Sequence, residues 1–134
     1  MVQLSRGMLA KKTGVNSETI RYYEKIGLMP DPPRTFGGHR TYGQSLLNRL
    51  SFIRRCRKLG FTINEIRELL ELVDGGDYSC AEVLETTRTH LERIRGKIKE
   101  LKQMEKTLKT ISSHCSGKDV PECAILEELW QAPS

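Results

Sequence analysis

Residues 80–112 carry apolar side chains in alternating steps of three and four: Leu84, Leu91, Ile94, Ile98, Leu101, Leu108 and Ile111, with Thr87 and Glu105 at the two imperfect positions. The remaining positions are rich in Lys, Arg and Glu. Sustained over so many turns, this spacing gives a helix one narrow apolar seam, which marks a coiled coil and not a helix lying on a globule. By helical rise the segment would be about 48 Å long. Nothing else in the 134-residue chain is large enough to cover such a seam. The pattern therefore predicts a homodimer joined along this helix.

Charge separates the rest of the chain from that helix. Residues 1–60 hold twelve Lys or Arg against three acids, whereas residues 61–134 hold ten against fourteen. A basic N-terminal half on a mildly acidic C-terminal half predicts a polyanion-binding head on a body with another task. No apolar run reaches the ~18 residues of a membrane span, and MVQLSRGML does not read as a signal peptide. The expected location is cytoplasmic, with no membrane partner. Thiols stay reduced there, so four cysteines point to metal binding, redox chemistry or burial before disulfides.

Within the basic half, residues 5–26 divide into two short helical stretches around Thr13-Gly14-Val15, the pattern of a helix-turn-helix. Asn16 or Ser17 can N-cap the second stretch, SETIRYYEKI, and Gly27 stops it. Pro30, Pro32 and Pro33 exclude a helix in the next segment. Beyond them Arg34-Thr35-Phe36 and His39-Arg40-Thr41-Tyr42 flank Gly37-Gly38, which predicts a hairpin with a two-residue glycine turn. A third helix is expected over 44–58, ended by Gly60. Thr62 and Glu65 have the spacing of a capping box for a fourth, whose inward face is Ile63, Ile66, Leu69, Leu70 and Val73. DGGD at 74–77 breaks the chain before the long helix, and Ile125, Leu126, Leu129 and Trp130 form a short closing helix.

In LAKKTGVNSETIRYYEKIGL at 9–28, RTFGGHRTY at 34–42 and RLSFIRRCRKLGFTINEIRELL at 49–70, followed by the long helix and trailing cysteines, the chain resembles the MerR family of transcriptional regulators over nearly its full length. One departure is Arg6, where the family usually has an apolar residue before the glycine, and slightly weaker packing is expected there. The fold expected is mainly all-α. A winged helix-turn-helix DNA-binding domain with a small β-hairpin wing spans 1–75, an antiparallel coiled-coil dimerisation helix 80–112, and a metal-binding loop with a short helix 113–134. The second helix of a helix-turn-helix lies in the major groove with its N-terminal residues nearest the bases. Asn16, Ser17 and Thr19 suit base or phosphate contacts there, and Arg21 and Tyr22 can grip phosphates. Arg34 is a further basic candidate, and the resemblance implies backbone contacts from Arg40 and Tyr42 on the wing. Tyr23 is left open between core and surface, since one of a Tyr-Tyr pair often packs inward.

Cys115 and Cys123 are separated by seven residues in the loop HCSGKDVPEC, and Cys80 stands 35 residues before Cys115. If 80–112 is one helix, Cys80 and Cys115 of one chain stand roughly 50 Å apart and cannot share an ion. In an antiparallel pair of such helices, Cys80 of one subunit can meet Cys115 and Cys123 of the other. The resemblance implies the same ligand set, with two symmetric sites per dimer. Three thiolates select a soft ion: Hg(II), Pb(II), Cd(II) or Zn(II). Tetrahedral Zn(II) wants a fourth ligand, which His114 or Asp119 could supply; His114 is also readable as a solvated helix-end residue. Copper- and gold-sensing relatives lack a cysteine at the start of the long helix and divalent-ion sensors have one, whereas the seven-residue loop is more typical of the copper branch. With no obvious fourth ligand, Hg(II) is favoured. Cys56, among arginines, reads as a free thiol, or as a redox group if its basic neighbours lower its pKa.

The resulting expectation is a metal-responsive regulator, not an enzyme. The family resemblance implies a dimer on pseudo-palindromic operator DNA that holds RNA polymerase unproductively until metal binding distorts the promoter. A thiol redox sensor using Cys115 and Cys123 is the rival within regulators. No Gly-rich phosphate loop or paired-carboxylate motif supports an enzyme, and adjacent His114 and Cys115 do not present an oriented base.

Overall fold

The computed structural model describes residues 3–114, 117 and 123–131. Its helices are α1 (Arg6–Thr13), α2 (Ser17–Lys25), α3 (Gln44–Lys58), α4 (Ile63–Gly75), α5 (Cys80–Ser113) and α6 (Ala124–Leu129). No helix among the described residues is long and apolar enough to cross a membrane. The chain forms two compact units, Met1–His90 and Leu91–Ser134. α4 ends at the expected DGGD break, but the division between units falls inside α5, and the first part of that helix belongs to the head.

Local chemistry explains the helix ends. Ser5 caps α1, its hydroxyl accepting from the Met8 N–H at 3.2 Å. Asn16 takes the cap of α2, its side-chain oxygen accepting from the Thr19 N–H at 2.8 Å. Thr62 and Glu65 form the expected capping box, with bonds of 3.1 and 2.8 Å. Between α1 and α2, Gly14 adopts φ 75°. A Cβ there would also lie 2.5 Å from the Arg54 guanidinium, which donates to the Thr13 carbonyl at 2.6 Å. The turn thus needs glycine for both its backbone and its space.

The head closes over one core. Leu9, Ile20, Leu28, Met29, Tyr42, Leu50, Ile53 and Ile66 are all fully buried. Each large aliphatic side chain removed from water contributes roughly 1.5–3 kcal/mol, so α1, α2, α3 and α4 are held by the faces that their sequences present. Val73 is the exception on α4: expected inward, it stays half exposed.

The wing differs in detail from the expected hairpin. Its ladder is reduced to two isolated antiparallel bridges, Arg34 with Arg40 and Leu4 with Tyr42. The turn holds three residues, Phe36, Gly37 and Gly38, because Thr35 pairs with His39 and Gly38 takes φ 84°. A type I turn followed by a left-handed residue is the usual three-residue solution.

α5 runs for 34 residues without interruption. Of the expected seam residues, Leu84, Leu91, Ile98, Leu101 and Leu108 are between 43% and 62% exposed, whereas Ile94 is half-buried and Ile111 is buried within the chain. In the second unit Leu126, Leu129 and Trp130 of the α6 segment also face solvent.

Candidate nucleic-acid interface and metal centre

α2 is oriented by its buried side. Ile20 is fully buried and Tyr23 nearly so, which settles Tyr23 as a core residue and turns the opposite side outward. Arg21 and Tyr22 are exposed on that side. Asn16 is exposed at the helix start, while Ser17 and Thr19 are half-buried within the first turn. The Asn16 oxygen is committed to its cap, leaving the amide NH₂ as its outward donor.

On the wing, Arg34 is exposed and its guanidinium donates to the Gly38 carbonyl at 3.3 Å, bracing the turn. Phe36 stands fully in solvent at the tip. Arg40 is half-buried.

Tyr42 corrects the expectation of a DNA-contacting side chain. Its ring is completely buried, and its hydroxyl donates to Glu24 Oε2 at 2.6 Å while accepting from Arg6 Nε at 3.3 Å. Arg6 closes the set through Nη2 to Glu24 Oε1 at 3.0 Å, and Arg40 Nε lies 4.0 Å from the same oxygen. Arg6 thus has a partner in the nearly buried Glu24 carboxylate. Burial, then the bond to Glu24, push the Tyr42 phenol above its ordinary range. The network ties the wing, α1 and α2 into one piece, so the wing side chains are positioned relative to α2. Sequence reasoning missed Arg6 and Glu24 because their partners lie 36 and 18 residues away.

Cys80 opens α5 and is exposed. Its position is set by a second capping box, also missed: the Ser79 hydroxyl accepts from the Glu82 N–H at 3.2 Å, and the Glu82 carboxylate accepts from the Ser79 N–H at 3.4 Å. The pattern Ser-Cys-Ala-Glu carried this signal, the same one read at Thr62. Cys123 is the half-buried N-cap residue of α6. Cys115 and Asp119 lie outside the described residues. His114 is exposed at the end of α5 with Nδ1 3.5 Å from Glu128 Oε2. Among the described residues no three His, Cys, Asp or Glu side chains lie together in a metal-binding group.

Cys56 is buried, and burial pushes its thiol up against the opposing influence of Arg55. The suggestion that basic neighbours would activate it is therefore reversed, because desolvation outweighs them.

Two family models cover this architecture: one described as "MerR HTH family regulatory protein" matches residues 4–73, and one described as "MerR, DNA binding" matches residues 47–111. The chain belongs to the MerR family. Its MerR-family relatives include the mercuric resistance operon regulatory protein of Bacillus cereus, 47% identical over 126 residues that cover 93% of this chain and 96% of that protein. Among solved structures it is similar to the transcription regulator PbrR691 of Ralstonia metallidurans in complex with lead(II), at 40% identity and a TM-score of 0.82, covering 94% of this chain and 98% of the other. It is also similar to MerR of Bacillus megaterium in complex with mercury(II), at 43% identity and a TM-score of 0.72, covering 96% and 100%.

Proposed function

We propose that this chain is a homodimeric, metal-responsive transcription regulator whose effector is a thiophilic divalent ion, Hg(II) in first place. The observation that carries the reading is the placement of Cys80, an exposed thiol fixed at the first residue of a 34-residue helix. A helix of that length separates its two ends by about 50 Å. Cys80 can then meet Cys115 and Cys123 only if they come from a second copy lying antiparallel. The exposed part of the apolar seam of α5, from Leu84 to Leu108, is the surface that such a copy would cover.

The donor set fits a soft ion. Three thiolates around a divalent cation leave one net negative charge, which the N-terminus of α5 beside Cys80 favours. His114 faces Glu128, so a fourth ligand from that side chain would first have to leave its carboxylate partner. Three-coordinate Hg(II) needs no ligand beyond the three thiolates, whereas tetrahedral Zn(II) would need that fourth one. The mercury relatives support the same choice, and the lead-bound structure keeps Pb(II) as the second reading.

On DNA, α2 would lie in the major groove with Asn16, Ser17 and Thr19 nearest the bases, and Arg21, Tyr22, Arg34 and Arg40 on phosphates. Tyr42 serves as the buried anchor of the wing. A ligand shifts the dimer only if it binds the activating conformation more tightly than the repressing one. Thiols drawn from both subunits meet that condition, because bringing them together moves one subunit against the other.

In vitro transcription from the protein's own promoter, with RNA polymerase and Hg(II), Pb(II), Cd(II), Zn(II) or Cu(I) compared side by side, tests the reading. Hg(II) should activate at the lowest concentration, and Cys80→Ser should abolish that response. Activation by Cu(I) alone, or an intact divalent response in Cys80→Ser, would contradict it.

A further inference from the structure

α5 is solvent-exposed at Thr89 and Leu91, yet His90 between them is only 5% exposed. Its ring stacks on Phe61 with centroids 4.0 Å apart and planes 27° apart. Nε2 lies 2.9 Å from the Leu59 carbonyl oxygen, and Nδ1 lies 3.4 Å from Glu65 Oε2. The other Glu65 oxygen accepts the Thr62 N–H at 2.8 Å in the capping box of α4. One imidazole thus touches the end of α3, the turn after it and the carboxylate that starts α4.

The far side of that junction leads to α2. Arg54, on α3, donates to the Thr13 carbonyl in the turn that precedes α2. At the other end, Cys80 and His90 share α5, separated by about 15 Å of helix. An apolar side chain could have filled the space beside Phe61 without two directed polar contacts. A buried polar set with defined partners instead specifies one register of α5 against α3 and α4.

We propose that His90, through the Leu59 carbonyl and Glu65, is the positioning residue that transmits a movement of α5 at Cys80 to the helix-turn-helix. The proposal rests on the metal-responsive reading above. It makes His90 necessary for the response to metal and dispensable for binding either metal or DNA.

Two variants test it. His90→Phe keeps an aromatic ring on Phe61 and leaves the Thr62–Glu65 capping box whole, but removes both polar contacts of the imidazole. His90→Ala removes the ring. For each, operator affinity, Hg(II) affinity, thermal unfolding and the ratio of Hg(II)-induced to basal transcription are compared with wild type. Coupling between sites is commonly worth about 5- to 150-fold. The induction ratio should accordingly fall about tenfold or more in both variants, while operator and Hg(II) affinities stay within about threefold. If His90→Ala does not fold, His90→Phe carries the test alone. Wild-type induction in a folded His90→Phe, or a loss of induction matched by an equal loss of operator or Hg(II) affinity, would overturn the proposal. Absence of Hg(II) induction in the wild type, with its operator still bound, would instead overturn the sensing reading and the role of His90 with it.

Discussion

Glu24 joins the wing to α1 and α2 through a carboxylate that points inward. That nearly buried group is satisfied by Tyr42 and Arg6. Hydrogen bonds to charged groups contribute about 1.5–3 kcal/mol. Tyr42→Phe should therefore destabilise the protein by about that amount in urea unfolding, and lower operator affinity because the wing loses its tie to α2. Arg49 and Asp74 form a second polar clamp, with bonds of 2.7 and 3.1 Å, and Arg49 also holds the Leu28 carbonyl at 2.8 Å. The Arg49 hydrogen bond, against a smaller opposing effect of burial, holds the Asp74 carboxyl below its ordinary 3.8. A depressed carboxyl contributes stability that is complete above that ordinary value and is lost as pH falls through the folded-state value. The stability gap between wild type and Asp74→Asn should thus be present at neutral pH and close in acid. Asp74 is more than half exposed, so solvent screening keeps the gap below about 1 kcal/mol. The thiols should separate too: with an alkylating reagent at neutral pH, exposed Cys80 should react promptly and Cys56 only after unfolding. None of these pairings is local in sequence. An Arg-x-Tyr pattern suggests surface groups, and only the meeting of residues 6, 24 and 42 reveals that the tyrosine is internal.

At the scale of elements, what was legible is what depends on neighbours within about four residues. The boundaries of α3, the capping box at Thr62, the glycine between α1 and α2 and the break at DGGD all follow from such local chemistry. The wing turn was less so, because whether two or three residues close it depends on Gly38 adopting a left-handed conformation and on Thr35 finding His39. The inward turn of His90 was not legible at all. Its place lies off the apolar seam of α5, and only the packing of Phe61 and Glu65 against that helix explains its burial. The turn before α2 offers a direct check on the local chemistry. Gly14→Ala should cost about 1–2 kcal/mol from its left-handed backbone alone, and more once the methyl group displaces the Arg54 guanidinium, as read by thermal unfolding.

The whole molecule is where the sequence pattern and the structure meet most closely and where the candidate metal centre stays distributed. The heptad-like spacing anticipated a continuous α5, and that helix leaves five of its seven seam residues exposed in a single chain, Ile94 being half-buried and Ile111 buried. If a second copy covers the seam, replacing Leu101 and Leu108 by Glu should convert the dimer to monomer in analytical ultracentrifugation and weaken operator binding sharply. The central claim is narrower: three thiols from two subunits hold one ion. It is tested by a mixed dimer in which one subunit carries Cys80→Ser and the other Cys115→Ser with Cys123→Ser. Only one of its two sites would retain all three ligands. The ultraviolet absorption of three-thiolate Hg(II), titrated against the mixed dimer, should rise to one ion per dimer and be missing from both parent homodimers. A mixed dimer without that signature, while the wild-type dimer shows it, would contradict the claim.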